Sequence, residues 1–152
     1  MYTWQCRSFN ELTPDELYEL LKLRVNIFVV EQQCPYPELD DKDRIKETRH
    51  LMGYHQQQLV ACARLLPPGA SYPSVSIGRV AIAQSARGQG LAYQLLEQAL
   101  IHCAQHWPKQ AIEIGAQTYL TDFYTQYGFI ATSESYLEDG IAHVDMKRSA
   151  DS

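Results

Sequence analysis

Long apolar runs are missing from this sequence of 152 residues, and so is the apolar segment of a secretion signal near its beginning. A bilayer-spanning helix needs about 20 apolar residues in a row, so we expect no membrane segment and no membrane partner. Disulfide spacing is also missing, because the four cysteines are scattered and form no Cys-x-x-Cys pair. Cysteine usage and length together predict a cytoplasmic protein with a single domain over residues 1–152.

Positive charge is the second shortage. Lysine and arginine number 13 against 18 aspartate and glutamate residues, which gives a formal net charge of -5. Binding a nucleic-acid backbone requires a concentrated basic face, so we expect no nucleic acid as a partner. A cationic amine suits this charge balance better.

The sequence does contain a glycine-rich turn, residues 87–92 (RGQGLA), between a β-branched run and a long amphipathic helical pattern. Backbone N–H groups at the start of a helix have no partner within the helix, and the helix dipole adds partial positive charge there. Glycine at 88 and 90 lets an anion approach the backbone, and Arg87 adds guanidinium donors. The turn therefore predicts a phosphate or pyrophosphate ligand.

Three kinds of phosphate-binding loop compete for this turn. A P-loop would end in Gly-Lys-Ser or Gly-Lys-Thr, which is absent. A dinucleotide-binding loop needs a small residue where Tyr93 stands, although Glu113 has the spacing of a ribose-binding acid and keeps that alternative open. The third kind is a coenzyme A loop.

Two segments carry a family resemblance. The turn at 87–92 with its preceding strand resembles the acetyl-CoA signature of the GNAT superfamily of N-acetyltransferases, and FYTQYGF at 123–129 resembles the second characteristic block of that superfamily. LRVNIFVVEQQCPYPELD at 23–40, followed by TRHL at 48–51, is similar to the ElaA-like subfamily. The resemblance spans nearly the whole chain.

The resemblance implies an α/β (α+β) fold of the GNAT type. Such a fold has a mixed, mostly antiparallel sheet of six to seven strands, helices on both faces, and two central parallel strands that splay apart. Local patterns predict strands at 2–8, 50–54, 58–66, 75–82, 111–116, 130–136 and 143–147. They also predict a first helix after a Thr13–Glu16 capping box, a second over 91–104 and a third over 120–127, ended by Gly128.

The resemblance also implies acetyl-CoA as the cofactor, with its pantetheine arm between the splayed strands. Val80, Ala81 and Ile82 would bond this arm through their backbones, and an N–H near Val80 would polarise the thioester carbonyl. The residues expected to hold the pyrophosphate are Arg87, Gly88, Gln89, Gly90, Leu91 and Ala92. Gln117 stands where many members have asparagine, and we expect it to contact the cofactor.

Catalysis by direct transfer needs a proton donor for the departing thiolate and a base for the attacking amine. Tyr124 matches the tyrosine that commonly donates this proton in the family. Glu31 and His143 are the candidate bases, because Glu31 follows an apolar helix where burial would make a carboxylate more basic, and histidine titrates near neutrality.

An acidic run contains Glu38, Asp40, Asp41 and Asp43. We expect Arg24 to order this run by pairing with one of its carboxylates.

His102 and His106 lie one helical turn apart, a spacing that can hold a metal, but no third ligand is evident. Contact with the helix C-terminus accounts for both histidines, so we expect no metal.

The function that follows is transfer of an acetyl group from acetyl-CoA to the amine of a small molecule or peptide. Direct attack in a ternary complex is favoured, because no cysteine or serine lies in a recognisably activated setting. Two alternatives are a non-catalytic acyl-CoA-binding sensor and an acyl-homoserine-lactone-synthase-like acyltransferase, whose family shares the fold and an Arg-x-x-x-Phe helix like that at 24–28. Exposed strand edges also allow a homodimer.

Overall fold

Eight strands form one mixed sheet in the computed structural model, which describes residues 1–151. The strands are β1 (Tyr2–Arg7), β2 (Arg49–His55), β3 (Gln58–Leu66), β4 (Val75–Ile82), β5 (Ile112–Gln117), β6 (Phe129–Ala131), β7 (Tyr136–Glu138) and β8 (Ile141–Arg148). The helices are α1 (Pro14–Arg24), α2 (Leu91–His106) and α3 (Thr121–Thr125), and α1 continues into a π-helical segment, Val25–Glu31.

The strand order is β1-β2-β3-β4-β5-β8-β6, with β7 also paired to β8. Every neighbouring pair is antiparallel except β4 and β5, which are parallel. Parallel neighbours need a crossover, and α2 supplies it between β4 and β5. The predicted class, a mostly antiparallel sheet with one central parallel pair, is confirmed.

The sheet has one strand more than the sequence pattern predicts. The segment 130–136, predicted as a single strand, forms two short strands, β6 and β7, which pair with different parts of β8. The chain leaves the sheet between them, where residues 132–135 are exposed. The sequence Glu138-Asp139-Gly140 predicts a turn before β8, and the structure has one, with Asp139 and Gly140 both at positive φ, as a two-residue hairpin requires.

Helix α1 begins as its sequence predicts. The Thr13 hydroxyl accepts a hydrogen bond from the Glu16 amide at 3.1 Å, and the Glu16 carboxylate accepts one from the Thr13 amide at 2.9 Å. The helical spacing of its apolar residues predicts a buried face made of Leu17, Leu20, Leu21, Val25 and Phe28. Leu20 is buried as predicted, but the other four are only half-buried. The buried stripe of the helix and its π-helical extension is instead Leu20, Leu23, Arg24 and Ile27. Because this buried stripe contains an arginine, the spacing of apolar residues alone did not locate it.

Helices cover both faces of the sheet. Adjacent strand residues point to opposite faces, so Leu51 packs toward α2 while Met52 packs toward α1. The larger core lies on the α2 side and includes the buried helix residues Leu95 and Ala99 together with Phe129. These two layers leave the ends of the central strands accessible.

The parallel pair separates soon after it begins. Only Val75–Ile112 and Ser76–Glu113 are paired between β4 and β5. From there β4 continues to Ile82 and β5 to Gln117 without facing each other in the ladder. This is the predicted splay, and it opens a cleft in the middle of the sheet. Within residues 1–151, no helix combines the length and the apolarity that crossing a bilayer requires.

Leu95 provides a test of the core on the α2 side. Its side chain is fully buried, so Leu95→Ala should lower the free energy of unfolding by about 2–5 kcal/mol through lost burial and a residual cavity. Urea denaturation measures the change. Ile101→Ala, on the same helix but 48% exposed, is the control and should cost less than about 1 kcal/mol. Equal losses in the two variants would contradict this placement of the core.

Candidate active site

The cleft has one wall made by β4, which carries Val80, Ala81 and Ile82. Ala81 and Ile82 pair with β3, opposite Cys62 and Ala61, so one edge of β4 is satisfied. The other edge faces the cleft, where β5 offers no partner beyond Ser76. A strand with one free edge can bond an extended ligand as though it were another strand.

A bulge interrupts β4 immediately before these residues. The register with β3 shifts between Cys62 and Arg64, and Arg79 sits opposite the shift with a φ of +50°. A β-bulge bends its strand and increases the local twist, which turns β4 away from β5. Sequence analysis missed Arg79, although a glycine inside a strand pattern, Gly78, is the usual signal of a bulge.

The glycine-rich turn lies where β4 leaves the sheet. Gly88 and Gly90 have φ values of +79° and +74°, which disfavour other residues, and nothing lies within 4 Å of a Cβ atom built on either. Helix α2 starts at Leu91, and Gly90 provides no side-chain cap for its first amides. Bare amides and open space are together what an anion requires at a helix start.

Arg87 joins three parts of the site. Its Nε and Nη2 atoms donate to the Ile82 carbonyl at 3.1 and 3.0 Å, and its Nη1 lies 2.8 Å from a Glu31 carboxylate oxygen. The guanidinium group therefore ties the end of β4 to the π-helical segment beside the turn. Gln89, also in the turn, accepts a hydrogen bond from the Tyr2 hydroxyl at 2.9 Å.

The exposure of the Glu31 side chain differs from the prediction. It was predicted to be buried and thereby more basic, but its side chain is 38% exposed and pairs with Arg87. The π-helical segment is the reason, because it ends at Glu31 and turns that residue outward. The physical basis for choosing Glu31 as a base is therefore absent.

Tyr124 lies in the core on the α2 side of the sheet, 7% exposed, with Phe123 and Phe129 packed edge-on against its ring. Burial raises the pKa of its phenol to about 12, so the phenol keeps its proton throughout the physiological range. No group within residues 1–151 accepts a hydrogen bond from the Tyr124 hydroxyl. The phenolic proton is therefore unengaged within the described residues.

His143 lies on β8 directly opposite Gln117 of β5 and is buried. Its Nδ1 atom is 2.8 Å from the Ile141 carbonyl, which can only accept, so Nδ1 carries the hydrogen. Nε2 is then the nitrogen that can take up a proton, and a Glu138 carboxylate oxygen lies 3.6 Å from it. The Ile141 carbonyl thus determines which ring nitrogen of His143 carries the hydrogen.

Tyr136 stacks on His143, with ring centroids 6.1 Å apart and planes at 22°. The hydroxyl groups of Tyr136 and Tyr72 both donate to one Asp145 oxygen, at 2.7 and 2.8 Å. Burial and the bond to Asp145 raise the pKa of Tyr136 to about 12. Asp145 therefore holds the Tyr136 ring in place beside His143, an arrangement that local sequence patterns could not have revealed.

A pocket opens beside His143, on the side of the sheet that faces α1. Its walls come from the π-helical segment and following loop, the bulge of β4, the end of β5, and the β7–β8 turn. The lining residues include Phe28, Cys34, Tyr36, Glu38, Arg79, Gln117, Glu138, Asp139 and His143. The structure thus brings Gln117 and His143 together, whereas Glu31 does not line this pocket.

The loop that forms one wall is held by a buried ion network, and the expected role of Arg24 is confirmed. Arg24 is 1% exposed and contacts Glu38 at 2.8 Å and Asp43 at 2.7 Å. Glu38 also lies 3.0 Å from Arg79 on the bulge. Arg64 pairs with both oxygens of Asp40, at 2.8 and 2.9 Å. The network therefore connects α1, the acidic loop and the bulge.

Comparison with known proteins identifies the family. The sequence model described as an acetyltransferase (GNAT) domain matches residues 25–150. Protein ElaA of Escherichia coli is 42% identical over 148 residues, which is 97% of each chain, and its crystal structure superposes with a TM-score of 0.93 over 98% of this chain and 100% of that one. The chain belongs to the GNAT acetyltransferase family.

Two other solved structures are similar to this chain. An acyl-CoA N-acyltransferase from Pseudomonas aeruginosa is 45% identical, with a TM-score of 0.94 over 98% of this chain and 100% of that one. A CoA-dependent acyl-homoserine lactone synthase has a TM-score of 0.79 over 99% of this chain and 84% of that one, at 17% identity. The second likeness demonstrates a shared fold only. ElaA-like GNAT proteins are therefore the relevant relatives.

The buried network of this GNAT protein makes its stability sensitive to acid. Burial alone would raise the pKa of Asp43, but Arg24 and Arg64 outweigh burial and hold that pKa below its usual range. The unfolded chain then binds more protons than the native one, so this stabilisation is complete above about pH 4 and is lost as pH falls through the native pKa.

Arg24→Met tests the network, because it removes the guanidinium group that contacts two buried carboxylates and leaves only Arg79 beside Glu38 and Arg64 beside Asp43. We expect a loss of about 3–5 kcal/mol at neutral pH and a weaker dependence of stability on acid, measured by urea denaturation between about pH 3 and pH 7. Arg44→Met, which removes an exposed pair with Asp41, should cost under about 1 kcal/mol. An Arg24 variant as stable as this control would contradict the assigned role.

Proposed function

We propose that this GNAT protein transfers an acetyl group from acetyl-CoA to an amine by direct attack within a ternary complex. One observation carries the proposal. The parallel strands β4 and β5 part after two paired positions, and the uncapped start of α2 lies at the end of the opened edge. A ligand with an extended amide-bearing arm and a pyrophosphate matches both features.

Cofactor binding is assigned to backbone groups. The pantetheine amides bond to Val80, Ala81 and Ile82, and the pyrophosphate takes hydrogen bonds from the amides of residues 87–92. Arg87 is already oriented at this turn by Ile82 and Glu31, and it can exchange the carboxylate for a phosphate. Gln117 contacts the arm from the end of β5, where the cleft meets the pocket.

The acceptor reaches the thioester from the pocket. An alkylammonium group has a pKa of about 10.4 and must lose a proton before it attacks. His143 Nε2 takes that proton, directly or through water, because it is the free nitrogen of a buried ring that lines the pocket. The amine nitrogen then bonds to the carbonyl carbon, and a backbone N–H near the bulge stabilises the oxyanion.

The carbon–sulfur bond breaks in the second half of the reaction. The electron pair leaves with the coenzyme A sulfur, and Tyr124 donates its phenolic proton to that thiolate. The high pKa of Tyr124 keeps the proton in place until the thiolate forms. The amine nitrogen loses its second proton to solvent as the amide forms, and solvent returns His143 and Tyr124 to their starting states.

The charge of the pocket indicates a cationic acceptor. Glu38 is engaged by Arg24 and Arg79. Among residues 1–151, neither Glu138 nor Asp139 on the β7–β8 turn pairs with an arginine or a lysine, and Glu138 lies 3.6 Å from His143. These carboxylates attract an ammonium group toward His143. The acceptor class is therefore a small-molecule or peptide amine.

Gly90→Val tests the pyrophosphate site. The β-branched side chain would occupy the open space beside the first amides of α2, so acetyl-CoA affinity measured by calorimetry should fall at least about tenfold. Gly69→Val is a matched control, because Gly69 also has positive φ and open surroundings but lies in the β3–β4 loop. Undiminished affinity in the Gly90 variant would locate the ligand elsewhere.

Tyr124→Phe tests the proton donor. The rate constant kcat should fall about 10²-fold while KM for acetyl-CoA stays nearly constant, because only the departing thiolate loses a partner. Tyr127→Phe is the control, since its hydroxyl faces Glu97 on α2. Comparable rates in the Tyr124 and Tyr127 variants would remove Tyr124 from the mechanism.

Activity itself is measured as thiol release from acetyl-CoA with a panel of polyamines, small amines and peptides. Acceptor-dependent release with cationic amines supports the proposal. Release with isopentyl-CoA in place of acetyl-CoA would favour the synthase-like alternative. Tight acetyl-CoA binding without release across the panel would favour a sensor.

A further inference from the structure

The sulfur atom of Cys6 lies beside the two histidines of α2, His102 and His106. Cys6 of β1 lies against the last turns of α2, and the ligand atoms of Cys6, His102 and His106 are all within 4.8 Å of one another. The cysteine and the histidines are far apart in sequence, so only the tertiary structure brings the third donor to the pair. This cluster is separate from the cleft and the pocket described above.

We propose that Cys6, His102 and His106 form a binding site for a transition-metal ion of the zinc class. One thiolate and two imidazoles are a donor set suited to Zn²⁺, with water in the fourth position. Tetrahedral zinc, with bonds of about 2.0 Å to nitrogen and about 2.3 Å to sulfur, places its ligands roughly 3.5 Å apart. Small side-chain rotations can bring these donors together, because His106 is exposed and the other two are only half-buried.

Burial lowers the pKa of His102, and burial together with Arg49 and His102 lowers the pKa of His106. Burial also raises the pKa of the Cys6 thiol to about 11. Contact with the helix C-terminus does not explain why a sulfur atom lies beside both imidazoles, and this placement of three donors is what indicates a metal.

Metal binding at this site has a defined proton balance. The Cys6 thiol loses its proton to buffer as the sulfur–metal bond forms, and both imidazoles bind without releasing one. Glu11, whose charge acts on both Cys6 and His106, partly balances the positive charge of Arg49. A bound ion would join the first strand, at the edge of the sheet, to the end of α2, and so stabilise the native chain.

Cobalt titration of the full reduced chain tests the proposal, because a Co²⁺–thiolate bond produces a charge-transfer absorption that imidazole ligands alone do not. We expect one equivalent of Co²⁺ to produce this band in the wild type. Cys6→Ser should abolish it. His106→Gln changes an exposed position that the fold tolerates, and it should weaken Co²⁺ binding at least about tenfold. Removing a residue that only hydrogen-bonds to a metal ligand already lowers affinity by about tenfold or more, so removing a ligand should cost at least as much.

Two matched variants control for other thiols and imidazoles. Cys34→Ser and His55→Gln should leave the cobalt spectrum and affinity unchanged, since neither residue lies in the cluster. Zn²⁺ should raise the midpoint of thermal unfolding of the wild type but not of His106→Gln. A wild-type protein without the thiolate band, or a band that survives in Cys6→Ser, would overturn the site whether or not the protein acetylates amines.

Discussion

Separation of two parallel strands is the constraint on which the rest of this structure depends. A sheet gains by pairing every backbone group, so a strand edge left open inside a domain needs something to keep it open. Here the bulge at Arg79 bends β4 away from β5, and Glu38 fixes the arginine side chain. The cleft, the exposed start of α2 and the pocket beside His143 all follow from this local departure from regular pairing.

The buried ion network connects this departure to the rest of the fold. Burying charges is expensive, and a network of this kind is weak evidence for stability as such. Its value here is geometric, because Arg24 orients Glu38, and Glu38 orients both the acidic loop and the bulge. One guanidinium group on α1 thereby determines the shape of a wall of the pocket and the course of a central strand.

The candidate catalytic groups approach the cleft from opposite sides of the sheet. Tyr124 belongs to the core beneath α2, while His143 lies among polar groups on the side of α1. Their surroundings differ accordingly: an apolar shell keeps the phenol protonated, and a carbonyl fixes the tautomer of the imidazole. Under the proposed mechanism, the sheet therefore separates the group that donates a proton from the group that accepts one.

Local sequence patterns determined the elements and the glycine turn, because capping, strand alternation and helix-start chemistry act over a few neighbouring residues, while the resemblance of residues 87–92 and 123–129 to GNAT segments indicated the family. Local patterns predicted the capping box of α1 and the uncapped helix start at residues 87–92. They placed the wrong residues in the buried stripe of α1 and predicted that Glu31 is buried, whereas it is exposed. The π-helical segment, the bulge at Arg79 and the meeting of Cys6 with His102 were decided only by tertiary structure. These features depend on contacts between residues that are far apart in the sequence, and a short segment of sequence does not reveal such contacts.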